Sequence, residues 1–351
     1  MKSLGLAFAF IILIPNQELI SQDYVTKPVG DIRYLELNEI KQHEKSGGYY
    51  NEFWNYHIAL DNGAEIYLNY SISHFGGFRG AVTGARMSLL NWNGENYKVA
   101  REYDLEKLVF VEDNYRFFLN PERGIWFEGK LPNEHKVHFK TNKNGTHFDI
   151  NLDFLDIEKG YTWGDGLFQM GDNDQAGMYN QIPSSRIEGF IALDYDTVKV
   201  TGTASMIQFH QTNVGTRLFE KSFRFNKTTD NGYTGGYFLI PKDAKNEIVG
   251  YGFEMYNDSL KIKKPISIET IKTKKLMGQE ISSEIKICYR NVPCDNIVVT
   301  NLEEKVTLLD ELSGLKKVLA KRFLGGDIIE LRGSAILNQK LPVYYSLTVL
   351  D

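Results

Sequence analysis

Apolar and polar residues alternate along most of the chain. From Glu65 to His74, Ile66, Leu68, Tyr70 and Ile72 fall on one face, and Glu65, Asn69, Ser71 and Ser73 fall on the other, the period of a strand with one buried side. The preceding Asp61-Asn62-Gly63 predicts a tight turn, because Asn and Gly accept the positive φ that such turns require, so residues 53–60 and 64–75 are expected to pair. The same period recurs over 148–154, 187–193, 198–206, 249–255, 329–337 and 343–349. Many short alternating strands with turns between them predict an all-β barrel or sandwich. One helix is expected, over 306–323, where Leu308, Leu309, Leu312, Leu315, Val318 and Leu319 form a stripe and Lys316, Lys317, Lys321 and Arg322 load the C-terminal half.

Two segments share one pattern. Val198-Lys-Val-Thr-Gly-Thr-Ala204 and Ile329-Glu-Leu-Arg-Gly-Ser-Ala335 each place a Gly inside an alternating strand, which suits a sharply coiled strand of a small barrel. With a length of 351 residues this favours two antiparallel barrels in tandem, residues 22–185 and 186–351, the division falling in or just after the irregular stretch 160–186. That stretch reads as an inter-domain connection or a lid, with Trp163, Phe168 and Met170 as apolar wall.

Lys2 followed by an apolar run from Leu4 to Pro15 reads as an export signal over 1–21, too short to anchor in a bilayer, and nothing after it approaches a membrane span. The mature chain is therefore expected to be exported, periplasmic or secreted. In an oxidising compartment Cys288 and Cys294 can close a short loop, and two free thiols are the open alternative. The charge balance, 40 basic against 45 acidic side chains with no long run of either sign, argues against a nucleic-acid partner. Oligomeric state is not written in any pattern.

Candidate chemistry gathers on one strand. Val198, Val200, Gly202, Ala204 and Met206 share a face with Gln208 and His210, so two polar groups end an apolar stripe, as in a cavity with a greasy floor and a hydrogen-bonding mouth. His74 ends the Ile66–Ile72 stripe in the same way, and Trp54 and Tyr56 stand on the neighbouring hairpin. No metal site is expected: His135 and His138 face opposite sides of a strand, and Asp172, Asp174 and Gly177 mimic a calcium loop whose other positions are Ala176 and Pro183. No nucleophile elbow, phosphate loop or dinucleotide fingerprint occurs, so no cofactor is expected.

The string from Phe53 to Gly77, FWNYHIALDNGAEIYLNYSISHFGG, resembles the opening hairpin of the tandem-lipocalin superfamily, and Arg186 to Gln211, RIEGFIALDYDTVKVTGTASMIQFHQ, is similar to the start of its second barrel. That group holds AttH-like proteins, the hydroxyneurosporene synthases (carotenoid 1,2-hydratases), the yeast oxidative-stress survival factor and fungal lipocalin-like Diels–Alderases. The resemblance implies two lipocalin-like barrels with an apolar ligand pocket in one of them or between them. In the hydratase branch an Asp-His and, two residues on, a Trp face the reacting polyene. Counted from Gly202, those positions hold Ile207, Gln208 and His210 here, so the usual acid pair is missing.

Two functions follow as expectations. The first is an exported protein that binds a hydrophobic small molecule, such as a lipid, polyene or isoprenoid, through Trp54, Tyr56, Tyr70, Trp163, Met206, Gln208 and Gln211. The second is a cofactor-independent hydratase, cyclase or isomerase, with His210 and His74, or a carboxylate such as Glu52 or Asp165, as acid or base.

Overall fold

The structure is a computed structural model that describes residues 23–43, 48–76, 79–119, 124–194, 196–256, 259–307, 318, 321–322 and 325–350. Two antiparallel sheets account for it. The first runs Glu95–Asp104, Val82–Trp92, Glu65–Ser73, Asn51–Leu60, Asp196–Gln211, Asp174–Leu193, Thr146–Leu155, His135–Lys143, Ile125–Glu128, Arg116–Leu119, Leu108–Val111, and curls into a near-barrel. The second runs Ser259–Lys263, Val249–Tyr256, Gly232–Pro241, Phe219–Thr229, Leu341–Leu350, Ile328–Leu337, Val292–Thr307, Gln279–Tyr289, Pro265–Leu276, and curls into a half-barrel. The architecture is all-β, as the strand rhythm predicts, and its two curled sheets are the tandem lipocalin-like arrangement that the resemblance implies.

The predicted hairpin forms as read: Ala59 pairs with Glu65, Asn51 pairs with Ser73, and Gly63 turns the chain with φ +87. Its inward phase, Trp54, Tyr56, Ile58, Ile66, Leu68 and Tyr70, joins one core that fills the first barrel. The second barrel has its own core, built on Phe223, Phe238, Ile285, Ile297, Leu331 and Tyr345. A third cluster lies between them, because the outward phase of the shared strands is also apolar: Met178, Ile207 and Phe209 meet Phe219, Tyr251 and Phe253. The barrels are bolted further by Arg224, which donates to Ser205 Oγ at 2.9 Å, and by the ring of His57, stacked on Tyr344 at 4.0 Å.

Three expectations change. The stretch 160–186 is ordered sheet, carrying Tyr161–Trp163, Leu167–Met170 and the start of Asp174–Leu193, whose polar composition hides the pairing. The sheets divide between Gln211 and Phe219 rather than at 185/186, since the hairpin Asp174–Leu193/Asp196–Gln211 pairs with Asn51–Leu60 and belongs to the first sheet. Of the expected helix 306–323, Val306 and Thr307 instead end the strand Val292–Thr307, residues 318, 321 and 322 are helical as expected, and the rest lies outside the described residues, as does the expected export signal. Cys288 and Cys294 are joined in a disulfide.

Candidate functional site

Directly opposed residues in an antiparallel sheet point to the same side. The pairing therefore lays out rows across the inner face of the first barrel. Gly177, His210, Glu52 and Ile72 form one row, Tyr179, Gln208, Trp54 and Tyr70 the next, and Ile182, Met206, Tyr56 and Leu68 the one below. Polar and titratable groups concentrate in the two rows at the barrel end.

Glu52 is the centre. Its carboxylate is fully buried, and no Lys or Arg bonds to it among the described residues. Other donors surround it instead: the Tyr50 hydroxyl at 2.8 Å, the Gln208 amide at 2.7 Å, the backbone N–H of His43 at 3.1 Å and the His43 ring Nδ1 at 2.9 Å. A carboxylate can only accept, so the short contact assigns a proton to His43 Nδ1 and, in the neutral ring, leaves the lone pair on Nε2. The His43 side chain is 20% exposed, at the opening of an otherwise closed cluster.

The amides are oriented by their partners. Gln181 donates to Gln208 Oε1 at 2.7 Å and to the Glu39 carbonyl at 2.8 Å, which turns the Gln208 NH2 toward Glu52 and toward the Lys41 carbonyl at 3.0 Å. Aromatic rings complete the wall: His43 stacks on Tyr179 at 4.6 Å and on His210 at 4.9 Å, and Tyr50 meets the edge of His74 at 5.9 Å. Burial lowers the pKa of His74 and raises the phenol pKa of Tyr179, keeping both neutral near pH 7.

The residues expected from sequence divide clearly. His210 and Gln208 enter the cluster, His74 borders it, and Trp54 flanks it with its indole N–H on the Ile40 carbonyl at 3.0 Å. Tyr56, Tyr70 and Met206 lie in the barrel core. Trp163 packs between the barrels, Gln211 points to the opposite face of the sheet beside Gly215, and Asp165 caps a turn by accepting from the Leu167 N–H at 3.0 Å. His43, Tyr50, Tyr179 and Gln181 are additions. His43 sits in a polar segment with no period, so nothing local marks it. Glu52 carries a signal: it continues the inward phase of Trp54 and Tyr56, where an acid is out of place.

Deeper in the barrel, Tyr56 bonds His135 Nε2 at 2.8 Å, and burial holds His135 down to about 3. The cavity bounded by Trp54, Tyr70, Phe117 and Phe127 is about 10 Å³, at the lower limit for one water. The barrel interior is packed with side chains, so the accessible chemistry lies at its end.

Searches by sequence bring no family model and no curated protein. Solved structures do match. An AttH-like protein of Nitrosomonas europaea superimposes with a TM-score of 0.60 at 11% identity, covering 92% of this chain and 99% of the other. CghA, solved with Sch210972, gives 0.52 at 10% identity over 86% of this chain and 88% of the other. Kievitone hydratase from Nectria haematococca gives 0.46 at 13% identity over 90% of each. The fold is that of the tandem lipocalin-like proteins. At a tenth identity the likeness reaches the backbone alone, and the chemistry rests on this chain's own side chains. Among the described residues no three His, Cys, Asp or Glu are grouped to hold a metal ion, and no helix is long and apolar enough to cross a membrane.

Proposed function

We propose that the protein is an exported, cofactor-independent enzyme that moves a proton on a small, mainly apolar molecule, in the manner of a hydratase, cyclase or isomerase. The observation that carries this reading is the hydrogen bond from His43 Nδ1 to the buried Glu52 at 2.9 Å, on a side chain that is itself 20% exposed. A buried carboxylate fixes the tautomer and stabilises the imidazolium that forms when Nε2 takes a proton. The same imidazolium then returns the proton to another carbon or to oxygen. Aromatic walls without a buried cation suit a substrate that is neutral and unsaturated, a polyene, isoprenoid or phenol. The lipocalin-like barrel supports this as a scaffold for apolar ligands, and the packed interior favours the His43 end over the barrel's depth for the substrate.

The test is solvent deuterium exchange. Purified protein is incubated in D2O with a panel of unsaturated isoprenoids and phenols, and the products are read by mass spectrometry for incorporated deuterium or added water. Incorporation that falls roughly 100-fold or more in His43→Ala and Glu52→Gln, both folded by circular dichroism, is expected. Tight binding of such molecules with no incorporation in any case would replace the enzyme by a binding protein.

A further inference from the structure

His43 does not belong to a barrel strand. It ends a strap, Tyr24 to His43, whose first residues pair with Leu167–Met170 of the first sheet, Val25 opposite Met170 and Thr26 opposite Gln169, and also reach the other barrel. There the carboxylate of Glu247, next to the strand Val249–Tyr256, accepts the backbone N–H groups of Tyr24 and Val25, both at 2.7 Å. Lys264 of the second barrel donates to the Gly30 carbonyl at 3.0 Å, and its ammonium lies 4.8 Å from the ring centre of Trp163, whose indole N–H bonds the same carbonyl at 3.1 Å.

The strap then continues along the first barrel. Ile32–Tyr34 pairs with Tyr161–Trp163, and Arg33 clamps Glu39 with two bonds of 2.6 and 2.7 Å. Gly164 sits under the strap with φ +55, and a β-carbon there would run into the Val29 carbonyl and lie 3.1 Å from Pro28 Cβ, so the strap is seated against bare backbone. Its last turn is held by its carbonyls: Glu39 by Gln181, Ile40 by Trp54 and Lys41 by Gln208. Each end finishes on a buried or half-buried carboxylate that accepts two donors of the strap, Glu247 at the start and Glu52 at the finish.

We propose that Glu247 and Lys264 are positioning residues: by clamping the start of the strap, the second barrel adds to the hold that the first barrel has on His43 at Glu52. Its bearing on activity rests on the acid–base reading above, and the positional claim does not. Loss of the contacts at the start of such a strap lowers the free energy of its local opening, and the pairing along it carries that opening toward His43.

The experiment is nuclear magnetic resonance of 15N-histidine-labelled full-length protein, wild type against Glu247→Ala, Glu247→Gln, Lys264→Met and Gly164→Ala, with Glu220→Ala on the surface of the second barrel as control. Amide exchange and the pH titration of the His43 ring are the readouts. Expected are at least a tenfold faster exchange of the His43 amide and a changed ring titration in Glu247→Ala and Gly164→Ala. Glu247→Gln, which keeps one acceptor, should fall between them and wild type, and Glu220→Ala should match wild type. Should Glu247→Ala fail to fold, Lys264→Met decides alone, with faster exchange of the His43 amide expected in it too. Fast exchange at Val25 with an unchanged His43 overturns the proposal. A His43 response without deuterium incorporation in any substrate leaves the strap standing and removes the enzyme.

Discussion

The imidazole of His210 lies flat on the backbone of Gly177, its partner in the sheet register, so closely that a β-carbon at 177 would fall within 2.6 Å of both Cδ2 and Cε1. His210 is fully buried, and its ring is stacked on His43, so it has nowhere to retreat. Gly177→Ala is expected to destabilise the first barrel by roughly 1–3 kcal/mol, as overpacking of a filled site does. In a His210→Ala background the same change should be nearly neutral. Urea unfolding of the four proteins of this cycle measures the coupling, and equal losses in both backgrounds would remove the contact as the cause.

The donors around Glu52 are unequal, and the stability of the site should rank with them. Gln208→Leu removes the shortest bond from a fully buried carboxylate and also leaves Gln181 with one acceptor fewer, a loss of roughly 3 kcal/mol. Tyr50→Phe removes one hydroxyl and leaves three donors, about half that. Chemical denaturation gives both numbers. An equal or reversed order would mean that Glu52 is solvated from the opening rather than held by the cluster.

His135 makes the first barrel acid-sensitive. In the folded protein burial holds its pKa down to about 3, whereas the unfolded chain takes up the proton near the ordinary value of 6.5. The folded state thus keeps a neutral ring while the unfolded state gains a proton as pH falls. The associated stability is fully present above about pH 6.5 and declines toward pH 3, by about 1.4 kcal/mol for each pH unit in that window. His135→Gln, which can still accept from Tyr56, should lose less on acidification: between about pH 7 and pH 4 the wild type should fall by about 3 kcal/mol more. Parallel pH curves for the two proteins would show that another group governs acid stability.

The two-residue period made the fold readable, because it needs only neighbours in sequence. It gave the hairpin at Gly63, and it put Gln208 and His210 on the face of Met206, where they are found. Where pairing is decided by distant partners the pattern is silent. The irregularities at Asn180–Ser185 break the alternation, which is why 160–186 resembles a loop and why the sheet boundary is misplaced. Gln211 is expected to bind ligand together with Gln208, yet three positions along a strand reverses the side. His43 reaches Glu52 through the course of the strap, which pairs with Leu167–Met170 and Tyr161–Trp163, and no local pattern encodes that path.

Cys288 and Cys294, whose pairing the spacing leaves open, form a disulfide across the hairpin of Gln279–Tyr289 and Val292–Thr307, beside the paired Ile287 and Asp295. The hairpin has other ties at this point. Asp295 accepts from Tyr289 and Lys263 at 2.9 Å each and from Asn338 at 2.8 Å. Reduction should therefore leave the native contacts in place and act mainly on the unfolded chain, which regains the freedom of a loop with a sequence separation of 6. Chain-entropy reasoning puts the loss at about 2 kcal/mol. Denaturation with and without reductant, and of the Cys288→Ser/Cys294→Ser double variant, should agree on that value, while the ring titration of His43 in the first barrel stays as it is. A reduced protein that unfolds outright, or a His43 signal that shifts with it, would mean that the disulfide organises the second barrel's native state rather than narrowing its unfolded one.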